Sequence, residues 1–210
     1  MIIGLIKRKE YKVLYLFISH QKDYLETLNR CIKNYKDFLV VVGGEKSNYI
    51  SDNTLYLNVD DNYEGLPQKV LESLKYIAQD ENFSKYTHIC KLDSDMKILK
   101  KFSSRILAKE KYFGKVQYVD GKRDWGKQKF TKNSKFSKEN YSGPFVPWCL
   151  GGYGYVVSID AVKQILHTQV DYDEEPYEDL LISKLLVAKN VAPYNFKNLN
   201  NYIYSSTHNL

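Results

Sequence analysis

The sequence has no apolar run long enough to cross a bilayer. Its longest runs, such as Val13-Leu14-Tyr15-Leu16-Phe17-Ile18, fall far short of the roughly 20 residues a membrane helix needs. The N-terminus, Met1-Ile2-Ile3-Gly4-Leu5-Ile6 followed by Lys-Arg-Lys, carries its charges on the wrong side of the apolar stretch for a signal peptide. No membrane span is expected, and the location suggested is the cytoplasm or a piece of a longer multidomain protein. Cysteine is scarce. Cys31, Cys90 and Cys149 cannot all pair within the chain and have no zinc-site spacing. Cys31 and Cys90 read as small core residues, and the count fits a reducing compartment. No Gly-x-x-x-x-Gly-Lys-Ser/Thr pattern occurs, which counts against phosphoryl transfer on a phosphate loop. No repeat or linker divides the chain, so 1–210 reads as one domain.

What is present is ordinary in bulk. Hydrophobic residues make up 43% and charged residues 27% of 210, as in a globular domain able to bury a real core. The 19 tyrosines suit a surface that handles sugars or bases. A net charge of +6 and a pI near 8.9 favour anionic partners: nucleotides, nucleic acid or acidic membranes. The basic residues are dispersed except between Lys122 and Lys138, where basic residues far outnumber the single acid, Asp124.

The chain is organised around Tyr86-Thr87-His88-Ile89-Cys90-Lys91-Leu92-Asp93-Ser94-Asp95, an apolar strand that stops at two carboxylates. Residues i and i+2 of a strand share a face, so Asp93 and Asp95 are expected to project together and to hold a hard divalent cation. The competing expectation is a polar turn that merely closes the strand.

The preceding chain reads as strand Val13–Ile18, helix Tyr24–Tyr35, strands Phe38–Val42 and Thr54–Val59, and helix Leu66–Ala78 with Pro67 in its first turn. That order predicts an open, mostly parallel α/β sheet. Ligands of such sheets sit at the carboxyl ends of the strands. Ser19-His20, Gly43-Gly44, Asp60-Asp61 and Asp93-Ser94-Asp95 should therefore gather on one rim. Beyond them come a strand over Lys115–Val119 and a long functional loop from Gly121 to Tyr141. A strand after Gly151-Gly152, helices over Ile159–His167 and Leu180–Ala188, and an irregular tail from Val191 to Leu210 complete the chain.

Four blocks resemble, in order, those of the β1,3-galactosyltransferase and Fringe group (glycosyltransferase family 31). Asp61-Asn62-Tyr63-Glu64-Gly65-Leu66-Pro67-Gln68-Lys69 is similar to that group's Asp-x-Tyr-x-Asn-Leu-x-x-Lys. Ile89–Asp95 is similar to its strand and Asp-x-Asp. Pro147-Trp148-Cys149-Leu150-Gly151-Gly152-Tyr153-Gly154-Tyr155-Val156-Val157-Ser158 resembles its Pro-x-Tyr-Cys-x-Gly-Gly-Gly-Tyr-Val-x-Ser, and Tyr177-Glu178-Asp179 its Glu-Asp block. The chain departs in being shorter than usual members, in lacking their membrane anchor, in having Asp-Ser-Asp for an aspartate triplet, and in offering Cys149 no evident disulfide partner.

The resemblance implies a GT-A fold: a mixed, mostly parallel Rossmann-like sheet flanked by helices. Residues 1–95 would form the nucleotide-binding half and 96–210 the acceptor-binding half. It implies a metal-dependent transferase that moves a sugar from a nucleotide-diphosphate sugar, by family habit a UDP-sugar, to a glycan or glycoprotein hydroxyl with inversion. Asp93 and Asp95, with His208, would hold Mn²⁺ or Mg²⁺. Asp179 would be the general base, with Glu178 second. Ser19, His20, Asp60, Lys69, Asp93, Ser94, Gly151 and Gly152 would line the donor site, and Trp125 and Trp148 the acceptor site. The rivals are a carbohydrate-binding protein without catalysis and an RNA-binding module built on 122–138. Nucleic acid is not expected, because the Asp-rich rim repels phosphates.

Overall fold

The computed structural model describes residues 10–118 and 127–205. Strand β1 (Val13–Ile18) shows why the sheet must be covered on both faces. Leu14, Leu16 and Ile18 enter one hydrophobic core, while Tyr15 and Phe17 enter another. Strand β2 (Phe38–Val42) divides in the same way, with Leu39 and Val41 on the first side and Phe38 and Val40 on the second. Alternating side chains of a strand point to opposite faces, so a wholly apolar strand needs helices on both. Helix α1 (Tyr24–Asn34) covers the second core, burying Thr27 and Cys31 one helical turn apart.

Next come β3 (Tyr49–Ser51), β4 (Thr54–Tyr56) and α2 (Leu66–Gln79). Helix α2 places Val70, Leu71, Leu74 and Ile77 in the first core, and full burial of a side chain of that size contributes about 1.5–3 kcal/mol. Strands β5 (His88–Asp93) and β6 (Met96–Ile98) precede α3 (Ser104–Lys109), whose N-cap Ser103 accepts from Ile106 N. Then follow β7 (Tyr112–Gly114), β8 (Val116–Gln117), α4 (Lys135–Lys138), β9 (Trp148–Cys149) and β10 (Tyr155–Ser158). Helices α5 (Ile159–Lys163) and α6 (Glu178–Val187) close the first core beside α2, and β11 (Tyr194–Asn195) and β12 (Ile203–Ser205) end the described chain.

The main sheet has eight strands in the order β11-β7-β10-β5-β1-β2-β4-β3. Its pairings are parallel except where β10 meets β5 and β7, and where β3 meets β4. The expected architecture, a mixed and mostly parallel sheet flanked by helices, is what the chain forms. Among the described residues no helix is long and apolar enough to cross a membrane. All three cysteines are buried free thiols.

Several expected elements differ. The strand expected over Thr54–Val59 stops at Tyr56, although Leu57 and Val59 remain buried. Their backbone turns inward instead, where the Leu57 and Val59 carbonyls accept from Glu45 N and Gly44 N. The strand expected over Lys115–Val119 shortens to β8, β7 forms just before it where no strand was expected, and Val119 lies outside the described residues. Helix α5 ends four residues early, in turns. Helix α6 begins at Glu178, which puts both acidic residues inside its first turn rather than before it. The tail is not wholly irregular: β11 extends the main sheet and β12 pairs with β6.

Candidate active site

The carboxyl ends of β1 and β5 and the start of α2 enclose a cavity of ≈ 630 Å³. Ser19, His20 and Gln21 form one wall, Asp61, Asn62 and Tyr63 a second, and Asp93 and Ser94 a third. Asp61 ties the rim together. Its carboxylate accepts from Gln21 N at 2.7 Å, Gly43 N at 2.8 Å and Lys69 Nζ at 2.6 Å. Burial alone would raise the Asp61 carboxyl, but Lys69 and the two backbone N–H groups outweigh it and hold it below its ordinary range. Gly43 has no room for a side chain, since a Cβ would lie 2.7 Å from the Val59 carbonyl.

Two donor-site expectations change here. Asp60 is exposed and lines a neighbouring cavity rather than this one, because the chain turns inward one residue later, at Asp61. Lys69 lines the cavity but is buried, and its ammonium is spent on Asp61 and on the Ser19 carbonyl at 3.1 Å. Ser19 is buried with its hydroxyl 3.4 Å from that of Thr27, while His20 stands exposed, 3.6 Å from Asp23.

Strand β5 ends at Asp93, and Ser94-Asp95 form a turn into β6. Alternation therefore does not place Asp95 beside Asp93. The i, i+2 neighbour of Asp93 on its own strand is Lys91, whose Nζ lies 2.6 Å from Asp93 Oδ1. Lys91 also donates to Glu178 Oε1 at 2.7 Å and to the Gly151 carbonyl at 3.4 Å. Tyr155, opposite Lys91 across the β5–β10 pair, donates its hydroxyl to Glu178 Oε2 at 3.0 Å. Burial would lower the Lys91 pKa, but Asp93 and Glu178 outweigh it and keep the ammonium protonated. Burial lifts the Glu178 carboxyl above its ordinary range, although Lys91 pulls it back.

Asp179 is buried beside Glu178, with Oδ2 accepting from Gly151 N at 3.0 Å and Oδ1 from its neighbour Leu180 N at 2.8 Å. Gly151 is hemmed in by this pair, since a Cβ there would lie 2.3 Å from Glu178 Oε1. Gly152 is exposed. Outside the sheet, Arg30 of α1 donates to the Ser94 carbonyl and lies 5.8 Å from the Phe17 ring, bracing the turn from the opposite face.

Trp148 is not an open sugar platform. It is 1% exposed and packs in a third core with Phe130, Tyr141, Tyr177 and Leu180. A large apolar ring on β9 is worth more buried than wet. Trp125 and His208 lie outside the described residues. Of the basic stretch 122–138 the structure describes 127–138, whose two rings pack inward. Phe130 is buried against Tyr63 and Tyr177, Phe136 packs on Phe130, and Thr131 N donates to Glu64 at 2.6 Å. These two rings are committed to packing rather than to stacking on bases.

A family profile described as "Galactosyltransferase" matches residues 8–197, nearly the whole chain. The chain belongs to the galactosyltransferase family. It is therefore a glycosyltransferase, and membership implies a nucleotide-sugar donor and a glycan acceptor. No curated protein matches the chain. Among solved structures, A197 from STIV is 10% identical, with 87% of this chain and 80% of that one covered and a TM-score of 0.47. A putative glucose-1-phosphate thymidylyltransferase from Bacillus anthracis, solved with sucrose, is 14% identical over 88% and 86%, with a TM-score of 0.42.

In this galactosyltransferase-family chain the cavity wall at the strand end holds Asp93, while Asp95 lies two residues on, in the turn into β6. Among the described residues no group of three or more His, Cys, Asp or Glu gathers as a metal site. A part-exposed carboxylate such as that of Asp93 suits a hard cation that takes most of its ligands from water and a diphosphate, as Mg²⁺ commonly does. Asp93 keeps 40% of its side chain exposed on the cavity wall despite its contact with Lys91.

Sequence reasoning placed Asp61 on the rim without a role and overlooked Lys91, Tyr155 and Arg30 as parts of this site. Lys91 did leave a signal: a lysine inside a buried apolar strand is almost never unpaired. Tyr155 and Arg30 left none, because their partners come from elements distant in sequence.

Proposed function

We propose that this family member transfers a sugar from a UDP-sugar to a hydroxyl of a glycan or glycoprotein, with inversion and with a divalent metal ion. The observation that carries this reading is one connected unit that runs inward from the cavity wall. Asp93 faces the cavity, and through Lys91 it is joined to Glu178, which stands beside Asp179. Donor-side and acceptor-side carboxylates are thereby held in a fixed relation.

In this reading the base and ribose lie against Ser19 and His20, on the wall braced by Asp61. Asp93 and Asp95, with His208 as the candidate third ligand, would hold Mn²⁺ or Mg²⁺, which supplies Lewis acidity toward the departing diphosphate. Asp179 takes the proton of the acceptor hydroxyl. The hydroxyl oxygen bonds to the anomeric carbon as the bond to the nucleoside diphosphate breaks on the opposite face. Backbone N–H groups on both Asp179 oxygens orient the carboxylate for that transfer. Gly152, which is exposed, lets the main chain approach the donor sugar with no intervening side chain, while Gly151 makes room for Glu178.

The test is release of nucleoside diphosphate from a panel of nucleotide-sugars with Mn²⁺, with and without EDTA. One donor should be hydrolysed, with the activity abolished by EDTA and by Asp95→Ala. Asp179→Asn should leave donor binding in place while turnover falls by about 10²–10⁴-fold. Hydrolysis of no donor, together with no Mn²⁺-dependent nucleotide binding by calorimetry, overturns the reading.

A further inference from the structure

Lys91 is 1% exposed and does not line the cavity, yet it touches three of the segments on which the proposed chemistry depends. An ammonium has three N–H donors and no acceptor. Lys91 aims them at three acceptors from three separate parts of the chain. These are Asp93 at 2.6 Å, Glu178 at 2.7 Å and the Gly151 carbonyl at 3.4 Å. Asp93 opens the Asp-Ser-Asp turn, Gly151 opens the Gly-Gly turn, and Glu178 opens α6.

Net stability is a poor reason for this arrangement. A buried ion pair is often no better than apolar residues of the same volume, because desolvation consumes the Coulomb gain. What three acceptors on one rigidly buried cation do provide is relative position. The carboxylates do not have this from one another, since Asp93, Glu178 and Asp179 would repel. Tyr155 satisfies only the second oxygen of Glu178, and Gly151 N reaches only Asp179, so without Lys91 neither joins Asp93 to Gly151 or to α6.

We propose that Lys91 is a positioning residue that locks the Asp-Ser-Asp turn, the Gly-Gly turn and the start of α6 into one register. It acts through Asp93 and Gly151 and touches no substrate. The transferase reading enters only in choosing the ligand for the second measurement below.

Lys91→Met alone would leave Glu178 buried without its counter-charge and is expected to fold poorly. The informative comparison is Glu178→Gln, which keeps Lys91 on Asp93 and Gly151, against Lys91→Met/Glu178→Gln, which removes both charges. Hydrogen–deuterium exchange on metal-free protein should show the 93–96 and 150–154 segments exchanging about tenfold faster in the double variant, as loss of charged hydrogen bonds implies. β1 and β2 should stay as protected as in Glu178→Gln. Equal protection of the two segments in both variants overturns the proposal. Calorimetry with Mn²⁺ and UDP should then show about tenfold weaker binding by the double variant than by Glu178→Gln. Equal affinities would also overturn it. If the unmodified chain binds no UDP, the donor reading falls, and the exchange comparison still decides the role of Lys91.

Discussion

Gly151→Ala is the sharpest single perturbation the site offers. The added Cβ would stand 2.3 Å from Glu178 Oε1 and 3.2 Å from the Asp179 Cβ. Ordinary C···O contact is about 3.3 Å, so Oε1 must retreat by about 1 Å. That retreat stretches its 2.7 Å bond from Lys91 beyond hydrogen-bonding range. The carboxylate has little freedom to rotate away, because Tyr155 holds Oε2 at 3.0 Å. Losing a charged hydrogen bond costs about 1.5–3 kcal/mol, and fully breaking a buried pair costs about 3–5. We expect a destabilisation of about 2–4 kcal/mol, or a fall in Tm of roughly 5–15 °C for a domain of this size. Urea unfolding followed by circular dichroism measures it, with Gly152→Ala as the exposed neighbouring control. A Gly151→Ala midpoint matching that of Gly152→Ala would show that Glu178 moves freely and that the packing around it is not restrictive.

Asp61→Asn keeps the acceptor for Gly43 N but leaves Lys69, which is 3% exposed, without its counter-charge, at an expected cost of about 3 kcal/mol. Because the native Asp61 carboxyl titrates below its unfolded value of about 3.9, its stabilisation is complete above that pH and is lost as pH falls through the lowered native value. Urea midpoints between about pH 2 and 6 should therefore fall less steeply in the variant than in the parent, and an unchanged acid slope would refute the assignment. Phe130→Ala removes the buried ring that anchors the basic segment, with an expected loss of about 3 kcal/mol. Limited trypsin digestion should then cut within 127–138 sooner than elsewhere. Cleavage at the parent rate would show that the segment is held by other contacts.

Much of the scaffold was legible because strand and helix periods are local. The apolar runs of β1 and β2 and the spacing of α1 and α2 placed those elements within a residue or two, and Pro67 marked the start of α2. Short strands were not legible. β3, β6, β11 and β12 span two or three residues each and exist only because a partner edge is there to receive them. The alternation argument at Asp93 failed for a related reason. Whether a strand continues past its last apolar residue depends on the neighbour it pairs with, and β5 lost its partner at that point.

The sequence by itself determined the long central strands of the sheet, the rim where their ends gather, and the family, because each rests on pattern and order along the chain. Only the tertiary structure decided how the charges are spent. Lys91 is joined to Asp93 two residues away, but also to Glu178, 87 residues away, and Asp61 to Gln21, Gly43 and Lys69. Trp148 turned inward to close a core rather than outward to meet a sugar. A buried charge or ring takes its role from what surrounds it, and those surroundings come from the packing of distant segments.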